Sequence, residues 1–319
     1  MYPRGQEGFE EFYTGIYGHR WTALRSALLA GAQHVAWVAG EAAVAGGGRG
    51  AGGDDVAGGG RGAGGDDVAG EAAVAGPARR TGEPYHLDPA SVLVAGLLPL
   101  ANADSVVDLC AAPGGKSLVL AGQLRGSSSL ICNERSRARR ARLQRVLDRH
   151  LDPEIRARVS VTGHDAARWA LYRPDSVDAV LADVPCSSEQ HVLADAGALQ
   201  QWSAGRSRRL SIQQGAILAA AIDAAAPGGW ILYVTCALAP AERAGVVERI
   251  LRKRAGRVAL SMPDAAELRE TATRLLGEAP YVSELVEGVE WTDHGLMILP
   301  DLCAGAGPLF AARLRRAYP

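Results

Sequence analysis

The stretch SVVDLCAAPGGKSLVLA, residues 105–121, decides how the rest of the chain reads. It opens on a short β-branched run, turns through Gly114–Gly115, and leaves on good helix formers. A strand delivered by a glycine turn into a helix is the opening unit of an open α/β sheet. In such sheets ligands bind beyond the carboxyl ends of the strands, so residues 110–116 fall where chemistry is expected. Lys-Ser after Gly-Gly invites a phosphate-loop reading. That motif needs a glycine six residues before the lysine, and Cys110 stands there. The GxGxxG dinucleotide fingerprint is absent too. What remains is a tight turn whose N–H groups can approach a ligand carboxylate or phosphate closely.

The same alternation repeats downstream. Apolar runs SLICNE (129–134), VSVTGHD (159–165), VDAVLAD (177–183) and WILYVTC (230–236) are separated by helix-like segments such as 116–124, 137–150 and 206–226. This predicts a parallel, doubly wound sheet with helices on both faces. PGG at 227–229 is expected to stop the preceding helix and deliver the fifth strand. LMILP (296–300) and PLFAARLRR (308–316), joined through a Gly-rich turn, read as an antiparallel pair at the sheet edge. Near the start, Phe9, Phe12, Ile16, Trp21, Leu24 and Leu28 recur at helical spacing, which predicts one or two amphipathic helices. Between these parts GGGRGAGGDDVA occurs at 46–57 and again at 58–69, flanked by VAGEAAVAG at 38–46 and 68–76. So glycine-rich a segment cannot bury enough surface to offset its backbone entropy, and it reads as a flexible insert. The expected organisation is an N-terminal helical segment (1–37), an insert (38–80) and a catalytic domain (81–319).

At 319 residues and 48% hydrophobic content the chain can bury a sizeable core. Its net charge of −1 carries no global signature of a nucleic-acid binder, yet Arg clusters at 135–149, 206–209 and 313–316. Such patches bind phosphates locally or are solvated helix faces. The only lysines are Lys116 and Lys253. No apolar run is long enough to span a membrane, and the polar, acidic start is unlike a secretory signal. The reading is a cytoplasmic protein without a membrane partner. The five cysteines are widely spaced and form no CxxC, which argues against a zinc site and against a disulfide framework. No metal is expected.

All five proposed strands end in polar or reactive groups: Cys110, Glu134, Asp165, Asp183 with Cys186, and Cys236. Glu134 stands where an acid accepts hydrogen bonds from ribose hydroxyls, and Asp165 where one accepts from an adenine amine. A ribose and an adenine without a phosphate cradle suggest S-adenosyl-L-methionine rather than NAD or ATP. On their own, Cys186 and Cys236 could be core residues, a disulfide, metal ligands or a working thiol.

Taken together, VDLCAAPGGKSLVLA, LADVPCSSEQH and LYVTCALAP, in this order and spacing, resemble the Sun-family RNA (cytosine-5)-methyltransferases, and most of all their short rRNA-modifying members. ICNERSRARRARLQRVL, VTGHDAARW and GPLFAARLRR look like further motifs of that family. The resemblance covers about 84–316, with a weaker echo in FYTGIYGHRWTALRSALL. It implies a Rossmann-like methyltransferase fold, a mostly parallel sheet with an antiparallel edge strand, and an RNA substrate, rRNA or a ribosomal particle, with room for an accessory protein. It implies Cys236 as nucleophile, Cys186 as the group that assists product release, Asp183 between cofactor and base, and Lys116 orienting Asp183 or the substrate backbone. Cys110, Ala111, Ala112, Pro113, Gly114, Gly115 and Lys116, with Glu134, Asp165 and Asp183, would contact S-adenosyl-L-methionine. The chain departs from the family pattern at Glu134, where Asp is usual, at Ala237, where Ser is usual, and at AERAG after Pro240. The last two put the bracing of the nucleophile loop in question. A catalytically weak RNA- or ribosome-binding assembly factor on the same fold is the alternative.

Overall fold

A computed structural model describes residues 2–31, 34–39, 44–45 and 83–318. The repeats at 46–69, and the expectation that they form a flexible insert, lie outside the described residues. The chain begins with α1 (Gly5–Tyr17) and α2 (Trp21–Ala30), joined by one 3₁₀ turn. A small antiparallel sheet follows, with β1 (Val35–Trp37) between β2 (Val44–Ala45) and β3 (Tyr85–Leu87). Then come α3 (Pro89–Gly96), β4 (Ser105–Asp108), α4 (Gly115–Ala121), β5 (Ser129–Asn133), α5 (Arg137–His150), α6 (Pro153–Arg156), β6 (Val159–Thr162) and β7 (Val177–Asp183). Helices α7 (Glu189–Ala194), α8 (Ala196–Gln201) and α9 (Ala204–Ala224) lead into β8 (Ala225–Thr235) and α10 (Ala244–Lys253). The remainder is β9 (Val258–Leu260), α11 (Ala265–Leu276), α12 (Pro280–Glu287), β10 (Glu290–Thr292), β11 (Gly295–Ile298) and β12 (Leu309–Arg316).

The described residues build a nine-stranded sheet in the order β10-β11-β12-β8-β7-β4-β5-β6, with β9 on β12. Strands β8, β7, β4, β5 and β6 run parallel. Because β7, β4 and β8 are covered on both faces, they read as nearly continuous apolar runs rather than alternating ones. One core layer packs Leu93, Leu118, Leu143 and Leu147 against one face of the sheet. The other packs Leu218, Ile222, Val246 and the N-terminal Phe9, Tyr13, Trp21 and Leu24 against the opposite face. The helical echo at the N-terminus is therefore two helices that share the sheet's own core.

The antiparallel part is wider than a single edge strand. β12 lies inside the sheet, hydrogen-bonded to β8 on one side and to β11 on the other, and β10 forms the edge. Pro227 and the glycines after it lie inside the start of β8, which begins at Ala225, and Gly228 takes φ 76° there. The break expected at PGG thus coincides with the first residues of the strand.

Candidate active site

Parallel pairing sets the site. Asp183 at the end of β7 is level with Val234 of β8, so the loops that follow leave the sheet side by side. The structure joins Cys186 and Cys236 as a disulfide with Cα atoms 6.4 Å apart, the pairing that their neighbouring strands allow. Ser188 sits in the left-handed region at φ 53°, a conformation that costs a non-glycine residue of order 1 kcal/mol. It places Oγ 3.3 Å from Cys186 Sγ and 3.6 Å from Cys236 Sγ. Beyond Cys236, the Ala237 N–H donates to Thr235 Oγ1 at 3.2 Å.

Lys116, on the first turn of α4, donates to Asp183 Oδ2 at 2.8 Å. Burial pulls the Lys116 ammonium down, but Asp183, Asp88 and Asp108 outweigh it and its pKa is raised. The cation is thereby kept charged and Asp183 is held in one direction. The other cysteines are poor nucleophiles. Burial, followed by the Asp108, Asp183 and Glu134 carboxylates, keeps the Cys110 thiol well above its usual range. Burial also raises Cys132, and it lifts Cys303 to about 11.

The loop after β4 is closed by protein on two sides. A Cβ on Gly114, which has φ 127°, would meet Val146 and Leu143 of α5 at 3.0 and 3.1 Å. One on Gly115 would meet Leu87 of β3 at 2.3 Å. These glycines therefore serve packing as well as the turn. Arg139 Nη2 donates to Ala112 O at 2.6 Å while Nη1 pairs with Glu134 Oε2 at 3.1 Å, tying the loop to the end of β5. Glu134 is buried, and its Oε1 accepts from the Ser136 N–H at 2.7 Å. Each of its oxygens keeps a further lone pair for a ligand hydroxyl. Asp165 accepts from the Ala167 N–H at 3.1 Å and lies 3.6 Å from Arg135.

Four side chains behind this end of the sheet escape a reading of local patterns. Asn133, fully buried, donates to Leu109 O and His164 O at 3.0 Å each and accepts from Thr162 Oγ1 at 3.0 Å and the His164 N–H at 2.8 Å. It knits the ends of β4, β5 and β6 together. Asp108 accepts from Ser117 Oγ at 2.7 Å, and burial lifts its pKa to about 7. Glu189 and Glu242 lie behind the cysteine loops, both fully buried. A polar residue closing an apolar strand was the available signal for Asn133 and Asp108.

The donor set fits S-adenosyl-L-methionine better than an oligophosphate. Glu134, Asp165 and Asp183 offer carboxylate acceptors for hydroxyls, an amine and a cationic ligand, while the Lys116 ammonium is already spent on Asp183. Among the described residues no group of His, Cys, Asp and Glu could hold a metal ion, and no helix is long and apolar enough to cross a membrane.

The Arg clusters separate. In α5, Arg139, Arg140 and Arg149 are turned onto Ala112, Glu134 and Glu83. In β12, Arg313 pairs with Glu267, Arg316 pairs with Asp175, and Arg315 lies over the Trp230 ring. Arg206, Arg208 and Arg209, at the start of α9, are exposed and form no ion pair among the described residues.

Residues 95–285 match the family model described as 16S rRNA methyltransferase RsmB/F. The chain belongs to this family. It is 32% identical over 238 residues to the 5-cytosine rRNA methyltransferase NSUN4 of Bos taurus, covering 73% of this chain and 59% of that one. It is 31% identical over 236 residues to the mitochondrial tRNA (cytosine(34)-C(5))-methyltransferase of Danio rerio, covering 73% of this chain and 61% of the relative. The chain thus spans about three fifths of the length of these relatives. The crystal structure of NSun6 from Pyrococcus horikoshii with SFG shares the fold at a TM-score of 0.56 and 21% identity, over 75% of this chain and 54% of that one.

Proposed function

We propose that the protein methylates C5 of a cytosine in RNA, with rRNA as the substrate, through a covalent cysteine adduct. The observation that carries this reading is the meeting of Cys186 and Cys236 from two loops beside the Lys116–Asp183 pair. Family membership and the relatives named for cytosine-5 methylation of rRNA and tRNA support the reaction class.

Cytosine C5 is a weak nucleophile. The Cys236 thiolate adds to C6, forming an S–C6 bond and pushing the C5=C6 electrons toward C5. S-adenosyl-L-methionine, held by residues 110–116 with Glu134, Asp165 and Asp183, supplies the electrophilic methyl group. Asp183 accepts a hydrogen bond from the base at N4 or at protonated N3, where charge changes on addition, and Lys116 keeps that carboxylate aimed. A base then takes the C5 proton, the C–H electrons restore the double bond, and the S–C6 pair leaves with Cys236 as its thiolate. Cys186 assists this release as an acid–base group of this second step. A disulfide and a free Cys236 exclude one another, so the working protein is the reduced one.

The target base must be unstacked or already single-stranded. Arg206, Arg208 and Arg209 supply free guanidinium groups for phosphates, and a folded rRNA or a ribosomal particle supplies the rest of the surface. Mixing a Cys186→Ala variant with RNA tests the roles. A denaturation-resistant protein–RNA adduct is expected, and it disappears when Cys236 is also changed to Ala. An adduct indifferent to Cys236, or none, overturns the assignment. Labelled methyl transfer into total rRNA separates the enzyme from a low-turnover assembly factor.

A further inference from the structure

Two buried carboxylates cross-link the cysteine loops. Glu189 lies three residues after Cys186, yet its Oε2 accepts from the Leu238 N–H, two residues after Cys236, at 3.0 Å. Glu242 lies six residues after Cys236, yet its Oε2 accepts from the Ser187 N–H, next to Cys186, at 3.0 Å. Each carboxylate sits on one loop and holds the backbone of the other.

The rest of the shell fixes both acids. Glu189 Oε1 accepts from the Ser187 and Tyr13 hydroxyls, each at 2.5 Å. Tyr13 belongs to α1, and its neighbour Tyr17 donates to Leu238 O at 3.0 Å, so the N-terminal helix is tied to the nucleophile loop as well. Glu242 Oε2 also accepts from Gln214 Nε2 at 2.8 Å, and the same nitrogen donates to Pro185 O at 2.9 Å. Tyr233 donates to Glu242 O at 2.6 Å, while Glu242 Oε1 is buried without a partner among the described residues.

Stability alone is a poor account of this arrangement. Burial and the nearby Glu242 push the pKa of Glu189 up, and well-packed apolar residues replace buried charge at little cost in stability. What apolar residues cannot do is accept two backbone N–H groups at fixed points. A misplacement of about 1 Å at a reacting group costs about a hundredfold in rate.

We infer that Glu189 and Glu242 are positioning residues, Glu189 seating the loop of Cys236 and Glu242 the loop of Cys186. The inference rests on the proposed roles of the two cysteines. It accounts for the tolerance of Ala237 and AERAG, because the brace comes from Glu242 itself and from the partner loop.

The test uses single-turnover methylation of a small-subunit rRNA transcript with labelled S-adenosyl-L-methionine, with adduct read on denaturing gels. Glu189→Ala is expected to slow methyl transfer at least tenfold without trapping adduct. Glu242→Ala is expected to trap adduct, as Cys186→Ala does, although Cys186 is present. Glu242→Gln keeps the amide oxygen for both donors and puts its NH₂ where Oε1 has no partner, so it should stay within about threefold of the parent. Tyr13→Phe removes one donor to Glu189 outside both loops and should slow transfer severalfold in a folded protein. A second readout needs no RNA: iodoacetamide labelling of the reduced protein, site by site. Glu189→Ala should change the Cys236 rate at least fivefold and by more than the Cys186 rate, which feels only the lost Ser187 hydroxyl bond, and Glu242→Ala should do the converse. If Cys186→Ala traps no adduct but the labelling pattern holds, the cysteine roles fall and the positioning stands. Equal labelling effects of the two Ala variants, or losses that only track melting temperature, overturn the inference.

Discussion

Replacing Asn133 with Leu, a side chain of similar size, removes four hydrogen bonds at one fully buried point. The side chain, at the end of β5, joins Leu109 O, His164 O, the His164 N–H and Thr162 Oγ1, which belong to the ends of β4 and β6. A buried hydrogen bond contributes about 1 kcal/mol net, and an orphaned backbone group costs about 1–3 kcal/mol. His164 lies near enough to the surface to recover water, so a loss of about 4 kcal/mol is expected. For a chain of this size that lowers the melting temperature by roughly 10 °C. The damage is directional, because the strand ends it loosens carry Cys110 and, one residue beyond His164, Asp165. Urea unfolding gives the stability change and calorimetric titration gives the affinity for S-adenosyl-L-methionine. Affinity should fall at least tenfold at a temperature where the variant is still folded. A stability change below about 1 kcal/mol, or a large one with unchanged affinity, would refute the view that Asn133 organises the cofactor end of the sheet.

Other outcomes follow from the same geometry. Asp108 has a folded pKa of about 7 against 3.8 in the unfolded chain, so the folded state holds the extra proton between those values. Its contribution therefore erodes stability as pH rises from about 4 to 7; Asp108→Asn should flatten that slope in chemical denaturation measured across pH. Reversing Arg206, Arg208 and Arg209 to Glu should weaken RNA binding and reduce the magnitude of its salt slope by about 2, leaving cofactor affinity unchanged in titration. Arg313, 4% exposed, holds Glu267 and Ser261 O, so Arg313→Met should cost about 3–5 kcal/mol in denaturant unfolding without altering adduct partition at temperatures where it is folded.

The parallel half of the fold was legible because each strand there is a short apolar run closed by a polar group. The helix expected at 137–150 is α5 to the residue, and the strand expected at 177–183 is β7. The antiparallel half was less legible. Nothing local in PLFAARLRR says that β12 inserts between β8 and β11, since that depends on which edge is left open. Arg313 and Arg316 read as a surface patch, but their partners Glu267 and Asp175 are 46 and 141 residues away. In the candidate site, Lys116, Asp183 and the two cysteines were singled out by the motifs that resemble the family, since a cysteine at a strand end is by itself as readily a core residue. Glu189 and Glu242 did not. An acid two or four residues past a proline resembles any solvated loop, and only the fold reveals that it binds an N–H of another loop.

The place of β12 also orders events in time. It is the last strand in chain order, yet Phe310 pairs with Thr235, the residue before Cys236. As the chain leaves the ribosome, the parallel strands and the cofactor loop emerge first, while the outer edge of β8 waits for residues 309–316. Until they arrive, an apolar strand edge stays open to wrong partners. A nascent chain thus completes its cofactor end before it seats Cys236.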